Sequence, residues 1–405
     1  VRDLPRQGSG TVLIAHPGAE LYGSDRVMLE TLAGLVEAGR EVVLAVPGDG
    51  PLVPAAHRLG ARVLVLNAPA VRKRALHPLH LPRFLLGSVV AAVRIDRALR
   101  RIRPEVLYAS TLTVPLWTAV ARRRRIPVVV HVHESERQAP HVLRIALALP
   151  LALADRLVIN SAFSRDGLIE VLPRLASRST VVYNGVAGPP EVVPPRRELD
   201  GGLRVVYVGR ISPRKGVDVA VAALHDLVAT GVPASLEIVG AVFPGYEWYE
   251  RRLRAQVAEL GLEDRVVFHG FQPAVWDSIA AADVVVVPSR LDEPFGNIAV
   301  EAVLAGRPVV VSGIGGLGEA IDGFASAVAV RPDDDRALAD ALRRIAVSWP
   351  AFARTAAAMA PIAAERYATT RYRRAVVDEI DRVSAPTDAV PAPGPAHVVL
   401  IQEDA

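Results

Sequence analysis

Short apolar runs alternate with helix-length amphipathic stretches along this chain, and a proline-rich stretch divides them into two series. The clearest unit lies between Val284 and Val311. Val284 to Val287 is four valines ending at Pro288, which reads as a strand buried on both faces. Pro294 and Gly296 then break the chain, Asn297 is placed to cap a helix, and Gly306 is placed to end it. Val309 to Val311 follows as the next strand. Strand, loop, helix and strand in that order make a parallel sheet, because parallel neighbours need a crossover between them. The loop then falls at the carboxyl end of a strand, where open sheets of this kind bind ligands.

The same grammar runs through the rest of the chain. In the first series, strands are expected at Thr11 to His16, Glu41 to Val46, Arg62 to Leu66, Glu105 to Ala109, Pro127 to His133, Arg156 to Asn160 and Thr180 to Tyr183. Between them lie helices: one capped by Ser24 or Asp25 and running to Glu37, one from Pro82 to Arg103, one to Arg124, one through Leu153 and one after Ser161. Gly185 to Gly202 carries Pro189, Pro190, Pro194 and Pro195 and reads as a connection. Alternation resumes with strands at Leu203 to Val208, Ser235 to Val239, Arg265 to Phe268, Val284 to Val287 and Val309 to Val311. Helices are expected after Gly216, at Trp248 to Leu260 and at Pro273 to Ala280, and another opens on the acidic run Asp333 to Asp335. Ser348 to Val383 reads as helical throughout, and from Ser384 onward Pro and Ala dominate, as in a disordered tail. The expected class is α/β with two Rossmann-like domains, 1–186 and 203–366, a linker at 187–202, a helix at 367–384 and a tail at 385–405.

Composition narrows the function. With 405 residues, 51% apolar and 22% charged, the chain suits two globular domains. It has no cysteine, which excludes disulfides and thiolate metal sites. The stretch VRDLPRQGSG has no long apolar core and does not read as a signal peptide, and no uninterrupted apolar run is long enough to span a bilayer. The default compartment is the cytoplasm. The net charge is only +4, but Arg72 to Arg74, Arg94 to Arg103 and Arg122 to Arg125 concentrate cations in the first series. Arg122 to Arg125 reads as a solvated helix face. No aromatic residues interleave with these runs, so nucleic acid is an improbable partner. The Arg-rich helix from Pro82 raises instead the hypothesis of a lipid-linked acceptor and peripheral membrane contact at the inner face.

Two constellations carry chemistry. Glu293 and Glu301 are eight positions apart. On a continuous helix they would lie roughly 80° apart, but Glu293 precedes the break, so both can converge on one ligand. The amides of Phe295, Gly296 and Asn297 lie between them at a helix start, which favours an anion. The strand Leu203 to Val208 ends in GRISPRKG, which puts Arg210 and Lys215 at its carboxyl end just before a helix. A guanidinium fork and a mobile ammonium at that place match a diphosphate, while Arg214 is expected to be solvated. There is no phosphate-binding G-x-x-x-x-G-K-[ST] loop, no nucleophile elbow and no G-x-G-x-x-G after the first strand.

The E-x7-E spacing with Gly before the helix, together with G-R-x-x-x-x-K-G, resembles the retaining nucleotide-sugar glycosyltransferases of family four. That resemblance implies the GT-B fold: two Rossmann-like lobes facing across a cleft, with a C-terminal helix returning to the first lobe. It implies that Arg210 and Lys215 hold the nucleotide diphosphate, that Glu301 takes the ribose hydroxyls and that Glu293 lies near the transferred sugar. Phe295, Gly296 and Asn297 would offer amides to sugar or phosphate, and Val267 to Gly270 would lie beside the base. Glu319 matches a frequent family glutamate or is a helix-start carboxylate, and Gly315 and Gly316 read as a flexible turn. In the first lobe Gly23 matches the second glycine of a Gly-Gly loop that approaches the diphosphate in the family, with Tyr22 replacing the first and available to the acceptor. His133-Glu134 matches the family's His-Asp, which gives His133 a role facing the donor sugar. His131, His133, Glu134 and His141 have no recognised metal spacing, and neither metal nor cofactor is expected.

The expected activity is transfer of a sugar from a UDP-, GDP- or dTDP-sugar, with retention of configuration, to a hydroxyl on a glycan, a lipid-linked acceptor or a small molecule. The alternatives are a non-catalytic two-lobed binding or regulatory protein, and a phosphorylase or epimerase on the same fold.

Overall fold

The computed structural model describes residues 10–21, 23–69, 81–135, 137–242 and 245–384. Tyr22, the Arg72 to Arg74 cluster and the tail read at 385–405 lie outside the described residues. In chain order the elements of the first series are β1 (Thr11–Ala15), α1 (Gly23–Glu37), β2 (Glu41–Val46), α2 (Leu52–Arg58), β3 (Arg62–Val65), α3 (Leu81–Ile102), β4 (Val106–Ala109) and α4 (Pro115–Arg123). β5 (Val128–Val132), α5 (His141–Ala148) with a 3-10 turn at Leu149–Leu153, β6 (Arg156–Ile159), α6 (Ala162–Val171) and β7 (Ser179–Val181) complete it. The second series runs β8 (Leu203–Val208), α7 (Val217–Ala229), β9 (Ala234–Val239), α8 (Glu247–Glu259), β10 (Val266–Gly270), α9 (Trp276–Ala281) and β11 (Val284–Val287). It continues through α10 (Asn297–Leu304), β12 (Val309–Ser312), α11 (Gly315–Ile321), β13 (Ala327–Val330), α12 (Asp335–Val347), α13 (Trp349–Arg366) and α14 (Thr369–Asp381).

Two compact units result: residues 1–185 with 369–405, and residues 186–368. The first holds a seven-stranded sheet ordered β3-β2-β1-β4-β5-β6-β7, the second a six-stranded sheet ordered β10-β9-β8-β11-β12-β13. Every pairing is parallel; Ile14 faces Leu44 on one side and Tyr108 on the other. Strand order reverses beside the first strand of each unit, between β1 and β4 and between β8 and β11. Right-handed crossovers therefore put helices on both faces. In the first unit Val27 and Leu32 of α1, Leu52 of α2, and Tyr372 and Val376 of α14 fill one face, while Ile95 and Leu99 of α3 and Trp117 of α4 fill the other. In the second, α7, α8 and α12 cover one face and α9, α10 and α11 the other, while α13 begins against the first, at Trp349, and ends against the second, at Ala363. The valine-rich strands are buried on both sides, as this layering demands.

Several local expectations change. β13 is a strand that the sequence reading leaves out: AVAV is short and half built from alanine, so it carries little β signal. α1 begins at Gly23, so Ser24 and Asp25 sit inside its first turn rather than capping it. The cap of α10 is Gly296, at φ 112°, and Asn297 is already helical. Gly315 and Gly316 are not a flexible turn but the first residues of α11, pressed against the Glu293–Phe295 backbone. A Cβ on Gly316 would lie 2.2 Å from the Pro294 carbonyl oxygen. The helical C-terminal stretch is interrupted at Tyr367 and Ala368, between α13 and α14.

The proline-rich stretch is anchored on the second unit. Arg196 clasps the buried Asp283 at 2.5 and 2.9 Å, and Trp349 Nε1 donates to the Arg196 carbonyl at 3.0 Å. Arg307, 1% exposed, donates to the carbonyls of Ala280 and Ala282 and reaches that of Val193 at 2.8 Å.

Candidate functional site

In the second unit, β8 and β11 end side by side at the point of strand reversal, and both chain exits are tight. Gly209 leaves β8 so close to Gly240 that a Cβ on Gly240 would lie 1.8 Å from the Gly209 oxygen. Seven residues on, Gly216 adopts φ 65° against the Pro288 carbonyl, 2.0 Å from where a Cβ would stand. These approaches fix the segment that carries Arg210 and Lys215. Arg210 is exposed, and its carbonyl accepts from the buried Tyr207 hydroxyl at 2.9 Å. Lys215 Nζ donates to Glu293 Oε1 at 2.7 Å, and Ser289 Oγ donates to the same oxygen at 2.8 Å. Burial pushes the Glu293 carboxyl up, but Lys215 and Arg214 more than offset this and hold it below its ordinary range. It is therefore anionic at neutral pH.

The loop after Glu293 is held from behind. Gly316 N–H donates to the Glu293 carbonyl at 2.7 Å, and the Phe295 ring, 2% exposed, meets Tyr367 edge-on at 5.7 Å. Phe295 therefore contributes backbone, not side chain, to the surface. Gly296 and Asn297 follow at the start of α10, and Glu301 lies one turn inside it, partly exposed. Arg290 ties the two loops together: its N–H donates to the Arg214 carbonyl at 2.9 Å and its guanidinium binds Asp218, which also accepts from Tyr249. Arg214 is exposed, as read, but also donates to the Asp292 carbonyl at 2.5 Å. The pieces predicted from two distant motifs thus meet through Lys215 and Glu293. A lysine keeps two further donors after binding one carboxylate, so this end of the sheet suits an anion beside a hydroxyl-rich group.

The corresponding end of the first sheet carries a buried polar cluster. His133 follows β5; its Nε2 is buried and has no hydrogen-bond partner among the described residues. Its ring lies 3.8 Å from that of His131, between centroids. Burial first, then the neighbouring His16, lowers the His133 imidazole to about 3; burial and His133 lower His131 well below its ordinary value. Beneath them, His131 Nδ1 meets the Tyr108 hydroxyl at 2.5 Å, and the Thr31 hydroxyl meets that of Tyr372 at 2.6 Å. Glu134 turns back, accepting from its neighbour's N–H at 3.0 Å and from the Thr111 hydroxyl. Gly23 is exposed at the start of α1.

The sequence reading misses three members of this cluster. His16, at the end of β1, sits between Asp25 (2.8 Å) and the Ser110 hydroxyl, and all three are buried. A histidine at a strand end followed by an aspartate in the next helix start is the only trace this leaves in sequence. Among the described residues no group of histidines and carboxylates could hold a metal ion.

Comparison with known proteins agrees with this architecture. Residues 181–360 match the model for glycosyl transferases group 1, and residues 22–187 match that for glycosyltransferase family 4. The D-inositol 3-phosphate glycosyltransferase of Acidothermus cellulolyticus is 30% identical over 72% of this chain and 71% of its own length. The enzyme of the same name from Nocardia farcinica is 29% identical over 81% of this chain and 78% of its own. Among solved structures, Anabaena HepE in complex with UDP and glucose superimposes with a TM-score of 0.77 at 20% identity, covering 92% of this chain and 99% of that one. The chain belongs to glycosyltransferase family 4 and has its GT-B fold.

Proposed function

We propose that this glycosyltransferase takes its sugar from a nucleoside diphosphate sugar and transfers it with retention of configuration to a hydroxyl acceptor. The observation that carries the reading is the Lys215–Glu293 pair at the strand reversal of the second unit, with the exposed Arg210 on the same connection after β8. Lys215, Arg210 and the start of α10 at Gly296 and Asn297 are assigned to the diphosphate. Charged hydrogen bonds contribute about 1.5–3 kcal/mol each and a helix start about 0.3–1 kcal/mol, so the two cations dominate. Glu301, as a pure acceptor, suits both hydroxyls of a ribose. Glu293 and the Phe295 amide are assigned to the sugar. On the first unit, the unpartnered Nε2 of His133 is the group we assign to a sugar hydroxyl, with Gly23 offering backbone.

In the step itself the acceptor oxygen bonds to the anomeric carbon on the face from which the diphosphate leaves. The carbon–phosphate oxygen bond breaks, and the departing phosphate takes the acceptor's proton. Glu293 is already engaged by Lys215 and Ser289, so it is assigned to holding the sugar rather than attacking it. Arg210 and Lys215 stabilise the charge that grows on the leaving group, which replaces a metal ion in this scheme. That HepE was crystallised with UDP and glucose supports a donor of this class.

The test is a thermal-shift screen with UDP-, GDP- and dTDP-sugars, followed by nucleoside diphosphate release and NMR of the product's anomeric configuration. A ligand at a hundred times its Kd stabilises by about 2.7 kcal/mol, easily seen. One base is expected to raise Tm and to give a product of retained configuration. No shift with any donor, or an inverted product, overturns the reading.

A further inference from the structure

The outer side of α3 changes character along its length. Leu86 and Val89 are 70% and 64% exposed, and Val90 and Val93 are exposed too. At ~100° per residue these four lie within roughly a 100° arc. Arg97, Arg100 and Arg101 continue the same arc for the rest of the helix, all exposed. The opposite side, Ala91, Ile95 and Leu99, is buried against the sheet. Over the residues described from Leu86 on, the exposed surface is thus apolar as far as Val93 and cationic beyond it.

The neighbouring elements extend both halves. α4 packs beside α3 and adds the exposed Arg123 and Arg125. Val142 of α5 and Leu149 and Leu153 of the following turn are exposed on the same outer layer, because α3, α4 and α5 cross over on one face. Acids on this layer are already matched: Asp96 binds Arg100 and Arg124, and Glu170 binds Arg137 and Arg144. Arg97, Arg101, Arg123 and Arg125 pair with no carboxylate among the described residues. Since β3 and β4 are parallel, α3 runs back between them, and Leu86 and Val89 lie nearer the carboxyl ends of the strands than Arg97 and Arg101 do. That is the end that carries His16 and His133.

We infer that this face of the first unit docks on an anionic lipid surface, with Leu86, Val89, Val90 and Val93 entering the acyl boundary and Arg97 and Arg101 meeting the headgroups. Aliphatic side chains beside unmatched cations suit such a surface, which accepts both at different depths. A nucleic acid would satisfy the arginines but leave the aliphatic residues in water. A second copy of this chain would cover the aliphatic residues but bring no unengaged carboxylate to Arg97 and Arg101, since Asp96 and Glu170 on this layer are already bound. No helix of the described residues is long and apolar enough to cross a membrane, and the contact proposed for α3 is with the bilayer surface. The carboxyl end of the first sheet is thereby held next to the bilayer, within reach of an acceptor anchored there.

The experiment is sedimentation of the full chain with phosphatidylcholine vesicles, with and without phosphatidylglycerol, at low and high salt. The wild type is expected to pellet only with the anionic vesicles and to be released by salt. Arg97→Glu/Arg101→Glu and Leu86→Ser/Val89→Ser should each lower the partition coefficient at least about tenfold, with Tm and the donor-induced Tm shift unchanged. Wild-type protein left in the supernatant, equal binding without phosphatidylglycerol, or either variant binding as wild type would overturn the inference. So would a dimer in solution that Leu86→Ser/Val89→Ser dissociates, since the face would then belong to a second copy.

Discussion

Lys215 and Glu293 hold each other with 21% and 11% of their side chains exposed, whereas Arg210 is an exposed residue. The two cations assigned to one diphosphate should therefore fail differently. Arg210→Ala should lose roughly thirtyfold in kcat/KM, about 2 kcal/mol, with only a small change in Tm, because contacts of exposed charges contribute little to stability. Lys215→Ala should lose as much activity and in addition about 2–3 kcal/mol of stability, because it strands the Glu293 carboxylate. Lys215→Ala/Glu293→Gln should recover that stability in urea denaturation without recovering turnover. If the double variant unfolds as early as the single one, the ion pair is not the cause. The histidines set a second expectation. His131 and His133 stay neutral in the folded state while an unfolded imidazole takes a proton below its ordinary value of 6.5. Stability should then fall as pH drops below about 6.5, by up to about 1.4 kcal/mol per pH unit for each histidine that stays neutral, and the His133 contribution continues toward pH 3. Urea titrations at pH 7 and 5.5 measure it, and His133→Gln should flatten the slope.

Among the elements, the connection from β8 to α7 depends on a residue without a side chain. Gly216→Ala would force a Cβ toward the Pro288 oxygen at φ 65°, at a cost of about 1–3 kcal/mol. Calorimetry should show a lower Tm and kinetics a raised donor KM. Gly318→Ala, which meets nothing within 4 Å, is the control and should be near neutral. The strands around this connection are legible in sequence because four-valine runs have few other uses, and the E-x7-E and GRISPRKG spacings find the residues beside them. β13 is not legible, because its alanines carry no β preference and only pairing with β12 makes it a strand. The Lys215–Glu293 contact is not legible either. Its partners are 78 residues apart and meet only because β8 and β11 are neighbours in the sheet. The His16–Asp25–Ser110 group escapes for the same reason, since Ser110 arrives from β4.

At the scale of the molecule, the first unit is assembled from both ends of the chain. Tyr372, Val376 and Ile380 of α14 are buried in its core, Arg156 grips Glu379 at 2.8 Å, and Arg373 grips Glu30 at 2.6 Å. Full burial of such side chains is worth about 1.5–3 kcal/mol each, so together they approach the whole stability of a domain. A chain ended after Ala368 should therefore lose hydrogen-exchange protection across β1 to β7 while β8 to β13 stay protected. Equal protection of both sheets would show that α14 is dispensable. The arrangement also sets an order of completion during synthesis. The ribosome delivers β1 to β7 early, yet their last covering helix emerges only after the other unit is fully made. The half begun first is finished last, and a message truncated anywhere upstream of α14 yields a product with an open apolar flank that chaperones and proteases can recognise as incomplete.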